Sequence, residues 1–365
     1  MHDFVALSID RTHRETSDAL SVSFTIPDAV REAFRFRPGQ HLAISALLDG
    51  EELRRTYSIC SGPDDTALTV TIKRVPGGRF SGWAFEHLRP GMTLNVMPPA
   101  GRFVLPDTLD QGLHVLAIAA GAGITPIMSM AEHAMRRSKA ARFTLIYGNR
   151  DPDRIIFRER LEDLKDAFLG RFSLVHVLSR NQESDTPLLE GRITPEKIEA
   201  FAGHVFEIAD IDEAFLCGPG SLIRDARQCL KALGLPRERI HHEFFAPAAG
   251  AVPRPNAPDA SAPLSATAPA EAIASEIVAI IDGRRHAFGA RPGEAVIDAA
   301  LRAGVRVPYA CKGGMCSTCR ARVVDGRARM RVNYSLEAWE IEKGFLLTCQ
   351  ALPDTPHLVV DFDQM

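Results

Sequence analysis

The sequence predicts a multidomain chain: an antiparallel β-barrel, then an α/β domain on a parallel sheet, then a small α+β module. Three observations carry that prediction. Residues 1–107 hold short apolar runs, several alternating with period two, between Gly and Pro turns. Residues 108–245 change to continuous apolar runs that alternate with amphipathic stretches. Residues 246–275 are dominated by twelve Ala and six Pro, and the block that follows, 276–365, carries four of the seven cysteines.

At 365 residues the chain has room for two or three domains with buried cores. Its 43 Lys/Arg against 46 Asp/Glu leave a net charge of −3, and 45% hydrophobic with 24% charged residues is an ordinary globular balance. Neither the basic footprint of a nucleic-acid binder nor an acidic tail is present. No run approaches the roughly 20 apolar residues of a membrane span, and the start has no apolar stretch of the secretory kind. The expectation is a cytoplasmic protein with reduced thiols that binds neither nucleic acid nor membrane. The isolated Cys60, Cys217 and Cys229 then read as small buried hydrophobes.

In the barrel block, strands are expected at Val5–Ile9, Leu20–Ile26, His41–Leu48, Thr56–Cys60, Leu68–Val75 and Thr93–Met97. In the second block, buried strands are expected at Val115–Ala120, Phe143–Tyr147, Leu174–Leu178 and Ala214–Cys217. Helices are expected from Pro126 to Arg137, over Phe157–Phe168 and over Leu222–Leu233. Residues 246–275 cannot bury enough surface to offset their ordering entropy, so they read as a flexible spacer or tether. Beyond them, Asp282-Gly283 joins two strands as a hairpin. A short helix over Val296–Ala303, a strand at Arg320–Val324, a helix around Leu336–Lys343 and a last strand at Leu358–Asp361 complete the module.

The strongest chemical signal is Cys311-Lys-Gly-Gly-Met-Cys316-Ser-Thr-Cys319 followed at a distance by Cys349. The spacing C-x4-C-x2-C…C is the plant-type arrangement for a [2Fe–2S] cluster held by four thiolates. Gly313 and Gly314 allow the loop to turn sharply and aim N–H groups at sulfur. Structural zinc is the rival, but its ligands usually come as two short C-x2–4-C pairs.

The second signal is Gly121-Ala-Gly123-Ile-Thr125-Pro126 between a strand and a helix, where N–H groups and the helix dipole favour a diphosphate. Its companion, Cys217-Gly218-Pro219, ends a later strand, and ligands of open parallel sheets sit beyond the carboxyl ends of the strands. The third signal is Arg55-Thr56-Tyr57-Ser58 on a barrel strand, with Gly77-Gly78-Arg79-Phe80-Ser81 opening a helical segment. Arg55 suits a phosphate, Tyr57 a flat ring and Ser58 a ring nitrogen. Taken singly, ordinary strand and turn chemistry explains the second and third signals as well.

Taken in order, these motifs resemble the ferredoxin–NADP reductase superfamily fused to a plant-type ferredoxin, over nearly the whole chain apart from 246–275. The resemblance implies FAD on the barrel, a nicotinamide nucleotide on the α/β domain and a β-grasp fold for the ferredoxin module. It places Arg55 on the flavin phosphates, Tyr57 against the isoalloxazine or ribityl and Ser58 near flavin N5. Thr56, Lys73 and the turn Gly77, Gly78, Arg79, Phe80 and Ser81 join them as cofactor-binding residues. Gly121, Gly123, Thr125, Pro126, Cys217, Gly218 and Pro219 fall to the nicotinamide nucleotide. Ser58, Thr125 and Cys217 would flank hydride transfer. Arg150, Ser179 and Arg180 would hold the nucleotide, the last two at an adenosine 2′-phosphate, which implies NADPH. Cys311, Cys316, Cys319 and Cys349 would hold the cluster.

The order of the domains resembles the reductase components of multicomponent oxygenases. Y-G-N-R at 147–150, H-V-L-S-R at 176–180 and M-R-V-N-Y-S-L-E-A-W-E-I-E-K-G-F-L-L-T-C-Q at 330–350 resemble the branch that serves phenylacetyl-CoA epoxidases. The implied activity passes electrons from NADPH through FAD and the cluster to a separate oxygenase. Three other readings compete with it: an NADH-dependent reductase of a Rieske-type aromatic or steroid ring hydroxylase, a redox-sensing module without turnover, and a zinc-stabilised binding protein. His241-His242-Glu243-Phe244-Phe245 reads either as an apolar strand end or as a segment beside the flavin. The arginines at 320, 322, 327, 329 and 331 read as a solvated strand face more readily than as a docking face.

Overall fold

The computed structural model describes residues 4–180, 186–245 and 274–364. The tether expected at 246–275 therefore falls, up to residue 273, outside the described residues. The described chain forms two compact units, 4–245 and 274–364. No described helix is long and apolar enough to cross a membrane.

The first unit begins with six strands and one helix: β1 (Val5–Thr16), β2 (Ala19–Thr25), β3 (His41–Leu48), β4 (Glu51–Ser58), β5 (Leu68–Lys73), α1 (Arg79–His87) and β6 (Thr93–Val96). The strands form an antiparallel sheet in the order β4-β3-β6-β1-β2-β5. A bridge between Ile59 and Val70 joins its two edges, so the sheet closes into the expected barrel. Alternate residues point inward as the period-two pattern requires: Leu20, Val22 and Phe24 face Leu42, Ile44, Val70, Ile72 and Val96 in one core.

The expected boundaries differ most at β1 and β4. β1 runs on to Thr16 because its polar half, Asp10–Thr16, pairs with β2 as a ribbon rather than facing the core. The strand expected at Thr56–Cys60 begins instead at Glu51, where Asp49-Gly50 (φ 52° and 79°) makes a tight turn from β3.

The same unit continues with β7 (His114–Ala120), α2 (Ile124–Arg137), β8 (Arg142–Asn149), α3 (Arg158–Ala167), β9 (Phe172–Leu178), α4 (Pro195–Phe201), β10 (Glu213–Gly218), α5 (Gly220–Ala232) and β11 (Ile240–Phe244). All five strands are parallel, in the order β11-β10-β7-β8-β9. The order reverses between β7 and β10, a topological switch point whose crevice opens at their carboxyl ends. β7 is buried along nearly its whole length, as a central parallel strand demands.

Barrel and parallel sheet share one core: Ala19 and Cys60 pack among Val115, Met128, Phe143 and Tyr147. Ser129 on α2 donates to the Ser61 carbonyl at 2.6 Å. Arg160 on α3 donates to the Cys60 carbonyl at 3.1 Å and pairs with Glu132 at 3.0 Å.

The second unit contains β12 (Ser275–Ile281), β13 (Arg284–Ala290), α6 (Val296–Arg302), β14 (Arg320–Asp325), β15 (Ala328–Met330), α7 (Ala338–Glu342), β16 (Phe345–Leu347), β17 (Ala351–Pro353) and β18 (His357–Asp361). Its main sheet runs β13-β12-β18-β14-β16, with β12 and β18 parallel and the other pairs antiparallel. Asp282 and Gly283 both take positive φ (49° and 70°), as the expected hairpin turn requires. Ile277, Ala279, Phe288, Val296, Ile297, Leu347, Leu358 and Val360 form the core beneath α6.

Candidate functional site

Gly121–Gly123 forms a short 3-10 turn directly between β7 and α2. Gly121 takes φ 53°, and its carbonyl accepts from the Tyr147 hydroxyl at 3.1 Å. Gly123 is packed so tightly that a Cβ there would stand 2.1 Å from the Cys217 carbonyl oxygen. Gly218 (φ 153°) lies against the Ala120 backbone in the same way. The two motifs therefore meet across the switch point, as the sequence implied. Thr125 is buried and donates to the Ala122 carbonyl at 3.0 Å, while Pro126 fits the first turn of α2, where no N–H partner is needed. Pro219 is the N-cap of α5.

Cys217 is fully buried, and that burial pushes its thiol well above the ordinary range, with the Glu243 carboxylate adding to the effect. Glu243 is the register partner of Cys217 on β11. Its Oε2 accepts from the Ser58 hydroxyl at 3.4 Å, and its Oε1 lies 3.7 Å from His41 Nδ1. Ser58 and His41 are themselves register partners on β4 and β3. Ser58, Glu243 and Cys217 thus stand at the seam of barrel and parallel sheet, close to the Gly123–Thr125 turn. Sequence reasoning named Ser58, Thr125 and Cys217 singly and Glu243 only within 241–245, read as a strand end or a segment beside the flavin, and it did not name His41 as a site residue. The available signal was Glu243 itself, an acid at the carboxyl end of the strand after the Cys217-Gly218-Pro219 motif.

Tyr57 is half-buried beside Phe80, with ring centroids 5.8 Å apart, and burial pushes its phenol far above the usual range. Phe80 belongs to the barrel core, so its side chain serves the fold and only its backbone faces the turn. Ser81 is also committed locally: its hydroxyl accepts from Val75 N–H at 3.1 Å and lies 3.4 Å from the Gly78 carbonyl. Gly77 takes φ 71°, and a Cβ on Gly78, the N-cap of α1, would meet Ser81 Oγ at 2.6 Å. Arg79 pairs with Glu51 at 2.5 Å. Arg55 is exposed and Thr56 half-buried on β4.

Lys73 ends β5 with its Nζ about a van der Waals contact, 3.5 Å, from where a Cβ on Gly121 would be, which brings a barrel cation to the nucleotide turn. Burial lowers the Lys73 pKa, against the opposing pull of Asp18 4.0 Å away. Asp18 also pairs with Arg154 at 2.7 Å. Arg150 follows β8, and Ser179 and Arg180 follow β9; the N–H groups of Ser179 and Arg180 donate to the Asn149 and Arg150 carbonyls at 2.9 and 2.8 Å. All three are exposed at the carboxyl edge of the sheet.

In the second unit the four clustered cysteines fall into two pairs, Cys311 with Cys316 and Cys319 with Cys349. In the first, a hydrogen bond from Cys316 and N–H groups of Gly313, Met315 and Cys316 lower Cys311 to about 5. In the second, Cys319 lowers Cys349, with help from Gly314 N–H and Gln350. Gly313 N–H stands 3.3 Å from Cys311 Sγ. Among the described residues, no three Cys, His, Asp or Glu gather as a site for a single metal ion. The chemistry of two thiol pairs with N–H donors around them fits a [2Fe–2S] cluster.

Behind this loop, Arg320 next to Cys319 lies over the Phe345 ring and pairs with fully buried Glu340 at 2.9 Å. Glu340 in turn closes a capping box with Glu337 at the start of α7. Arg322, Arg329 and Arg331 bond to Lys343, Asp354 and Gly293 within the same unit.

Comparison with known proteins agrees with this geometry. Residues 6–105 match an oxidoreductase FAD-binding domain, 117–228 an oxidoreductase NAD-binding domain and 279–354 a 2Fe-2S iron-sulfur cluster binding domain. The chain is 42% identical to a subunit of the 1,2-phenylacetyl-CoA epoxidase of Escherichia coli, over 100% of this chain and 99% of that one. The chain belongs to the FAD- and 2Fe-2S-containing oxidoreductases that are reductase components of oxygenase systems. It is 34% identical to the ferredoxin reductase component of 3-ketosteroid-9-alpha-monooxygenase of Rhodococcus rhodochrous, over 98% of this chain and 97% of that one. Its fold matches phthalate dioxygenase reductase with a TM-score of 0.58 at 22% identity, covering 98% of both chains. An intact type IV self-sufficient cytochrome P450 monooxygenase matches with a TM-score of 0.67 at 18% identity, over 98% of this chain and 41% of that one.

Two outcomes follow from the packing of this reductase. Replacing Gly123 by Ala should force β10 and the nucleotide turn apart and slow reduction of bound flavin by NAD(P)H about 100-fold, with flavin content retained; stopped-flow bleaching under nitrogen measures it. Replacing Glu340 by Ala strands Arg320 without its buried partner. That should destabilise the iron–sulfur unit by roughly 3–5 kcal/mol, read as earlier thermal loss of visible cluster absorbance, whereas the apolar pair Arg320→Met with Glu340→Leu should be near neutral.

Proposed function

We propose that this reductase takes electrons from NADPH and delivers them, by way of FAD and its [2Fe–2S] cluster, to the oxygenase component of a phenylacetyl-CoA epoxidase. The observation that supports this reading most strongly is the end-to-end 42% identity to one of the subunits of that enzyme. The identity of 34% to a steroid monooxygenase reductase supports a second reading, in which the acceptor is a ring-hydroxylating oxygenase. A reducing, cytoplasmic location accords with a thiolate-held cluster.

When bound, flavin and cluster supply the conversion from two-electron to one-electron chemistry. The protein supplies position. Arg55 and the N–H groups of the Gly77–Ser81 turn face a flavin diphosphate, and Tyr57 offers its ring face to the isoalloxazine. Ser58 presents its hydroxyl to N5 while Glu243 fixes the direction of that hydroxyl. Gly123, Thr125 and Cys217 bring the nicotinamide to the same seam, and the lack of side chains at Gly121, Gly123 and Gly218 permits its close approach. Lys73 neutralises the nucleotide diphosphate, with Thr56 alongside, and Arg150, Ser179 and Arg180 receive the adenosine 2′-phosphate. Cys311, Cys316, Cys319 and Cys349 hold the cluster. The linker 246–275 separates the cluster-bearing module from the two others, 1–107 and 108–245, and acts as its tether.

Anaerobic titration with NADPH tests the central claim: about three electron equivalents, two on flavin and one on a [2Fe–2S] centre, should bleach the visible spectrum. A protein without a flavin band, or one unchanged by NADPH, overturns it. Replacing Arg180 by Ala should raise KM for NADPH roughly tenfold or more and leave KM for NADH nearly unchanged; parallel effects remove the 2′-phosphate assignment. Replacing Cys349 by Ser should abolish electron delivery to cytochrome c while flavin reduction by NADPH persists, and stopped-flow spectra separate the two steps.

A further inference from the structure

The cations beside the nucleotide turn face an anion of the protein's own. Lys73 ends β5, and its register partner on β2 is Ala19, the residue after Asp18. The Arg74 N–H donates to the Asp18 carbonyl at 2.7 Å, so the turn between β1 and β2 is fixed against the end of β5. The Asp18 carboxylate is fixed as well. Thr16 Oγ1 donates to its Oδ1 at 2.8 Å, and Arg154 Nη1 donates to its Oδ2 at 2.7 Å. The second bond reaches from the barrel to the turn Pro152–Arg154 that follows β8. Lys73 Nζ lies 4.0 Å from the same Oδ2, an ion pair too long for a hydrogen bond.

The balance of charge at this place is uneven. Lys73 feels Arg150 and Arg154 on one side of the account and Asp18 and Asp151 on the other, so three cations meet two acids. Each phosphate of a dinucleotide diphosphate carries a negative charge. Its arrival leaves the cluster negative with Asp18 in place and balanced without Asp18. The Lys73, Asp18 and Arg154 side chains are only 29%, 20% and 35% exposed, so these charges are screened less than free surface charges. A pair of this exposure adds little to stability. Joining barrel to sheet therefore does not account for an acid placed among these cations. Glu15, the other acid at this end of β1, accepts from the Ser21 hydroxyl at 2.5 Å.

We propose that Asp18 is a built-in competitor of the nicotinamide nucleotide: its carboxylate contends with the diphosphate for Lys73 and Arg154, holds the affinity down and speeds release of the oxidised nucleotide. The proposal rests on the nucleotide reading of Lys73 given above. Thr16 keeps the competitor in place by holding Oδ1 while Oδ2 faces the cations. The effect falls on the dissociation rate, where changes of affinity at one site are mostly expressed. Turnover gains from it, because oxidised nucleotide has to leave before the next reduced one binds.

The test measures binding without turnover, on oxidised, flavin-loaded, full-length protein. Calorimetry gives Kd for NADP+, NAD+ and 2′-AMP, a probe with the 2′-phosphate and no diphosphate. Asp18→Asn keeps an acceptor for Thr16 and removes the charge. It should bind NADP+ and NAD+ at least about fivefold tighter, shift Kd for 2′-AMP less than about twofold, and slow NADP+ release in stopped flow by about fivefold. Asp18→Ser should repeat this result. Arg154→Ala should do the opposite and weaken both dinucleotides about fivefold, since it leaves Asp18 facing Lys73 alone. In a Lys73→Met background, Asp18→Asn should tighten NADP+ less than it does in the parent. Asp18 variants that bind both dinucleotides no tighter than the parent, or more weakly as Arg154→Ala does, would mean that the pair only joins barrel to sheet, and the proposal falls. Equal tightening of 2′-AMP also overturns it, as a general effect of one lost negative charge. A parent that binds neither dinucleotide defeats the nucleotide reading itself, whereas a parent that binds them and is matched by Asp18→Asn defeats this proposal alone.

Discussion

Where β7 and β10 lie side by side, the absence of a side chain at Gly123 lets the nucleotide turn touch the Cys217 backbone. In a sheet of this order the crevice of the switch point opens at the carboxyl ends of the strands, beside that contact. With the turn held there, the start of α2 lies against the Cys217 backbone, and Glu243 is the register partner of Cys217 one strand further. The barrel then needs only to present Ser58 at the same place. Had Gly123 carried even a methyl group, β10 would have to retreat, and β11 with it, so Glu243 and Ser58 would part. The geometry of the seam depends on that single close approach.

What keeps the barrel in register with the sheet is burial more than charge. Cys60 and Ala19 sit in the same apolar cluster as the parallel sheet, and burial raises the Cys60 thiol to about 11, as expected of a residue used for packing. The Ser129 and Arg160 hydrogen bonds to the Ser61 and Cys60 carbonyls satisfy backbone groups that would otherwise be stranded at the seam, a loss of about 1–3 kcal/mol each. By contrast, the half-exposed Asp18–Arg154 pair contributes at most about 1 kcal/mol to stability. Its value is local charge balance. Asp18 faces Lys73 and Arg154 together, so these cations are held near the nucleotide turn without being left unpaired in a partly dry environment.

Most of the architecture was legible in the sequence because period-two runs and continuous apolar runs report directly on one-sided and two-sided burial. The iron–sulfur module was legible because the cysteine spacing of such a loop is set by covalent reach. What escaped was held in place by partners far away in the chain. The polar half of β1 has no apolar alternation to announce it, since it pairs with β2 rather than facing a core. The short helix α4 has only Ile198 and Phe201 buried, too few to make a periodic stripe. Phe80 and Ser81 carried motif residues whose side chains turned out to serve the barrel core and the turn itself. Glu243 and His41 lie about 200 residues apart, and only the tertiary fold makes them neighbours. No local pattern in either segment can encode that meeting.

The two units give their candidate sites opposite surroundings. Around Ser58 the protein keeps few full charges: a buried thiol, one carboxylate and an enclosed imidazole. Around the cysteines it does the reverse. One thiol of each pair is already driven toward the thiolate by its neighbour and by backbone N–H groups, so the loop is shaped to hold negative charge before any metal neutralises it. The buried Arg320–Glu340 pair behind the loop is neutral overall, and so it braces β14 beside Cys319 without adding a net charge.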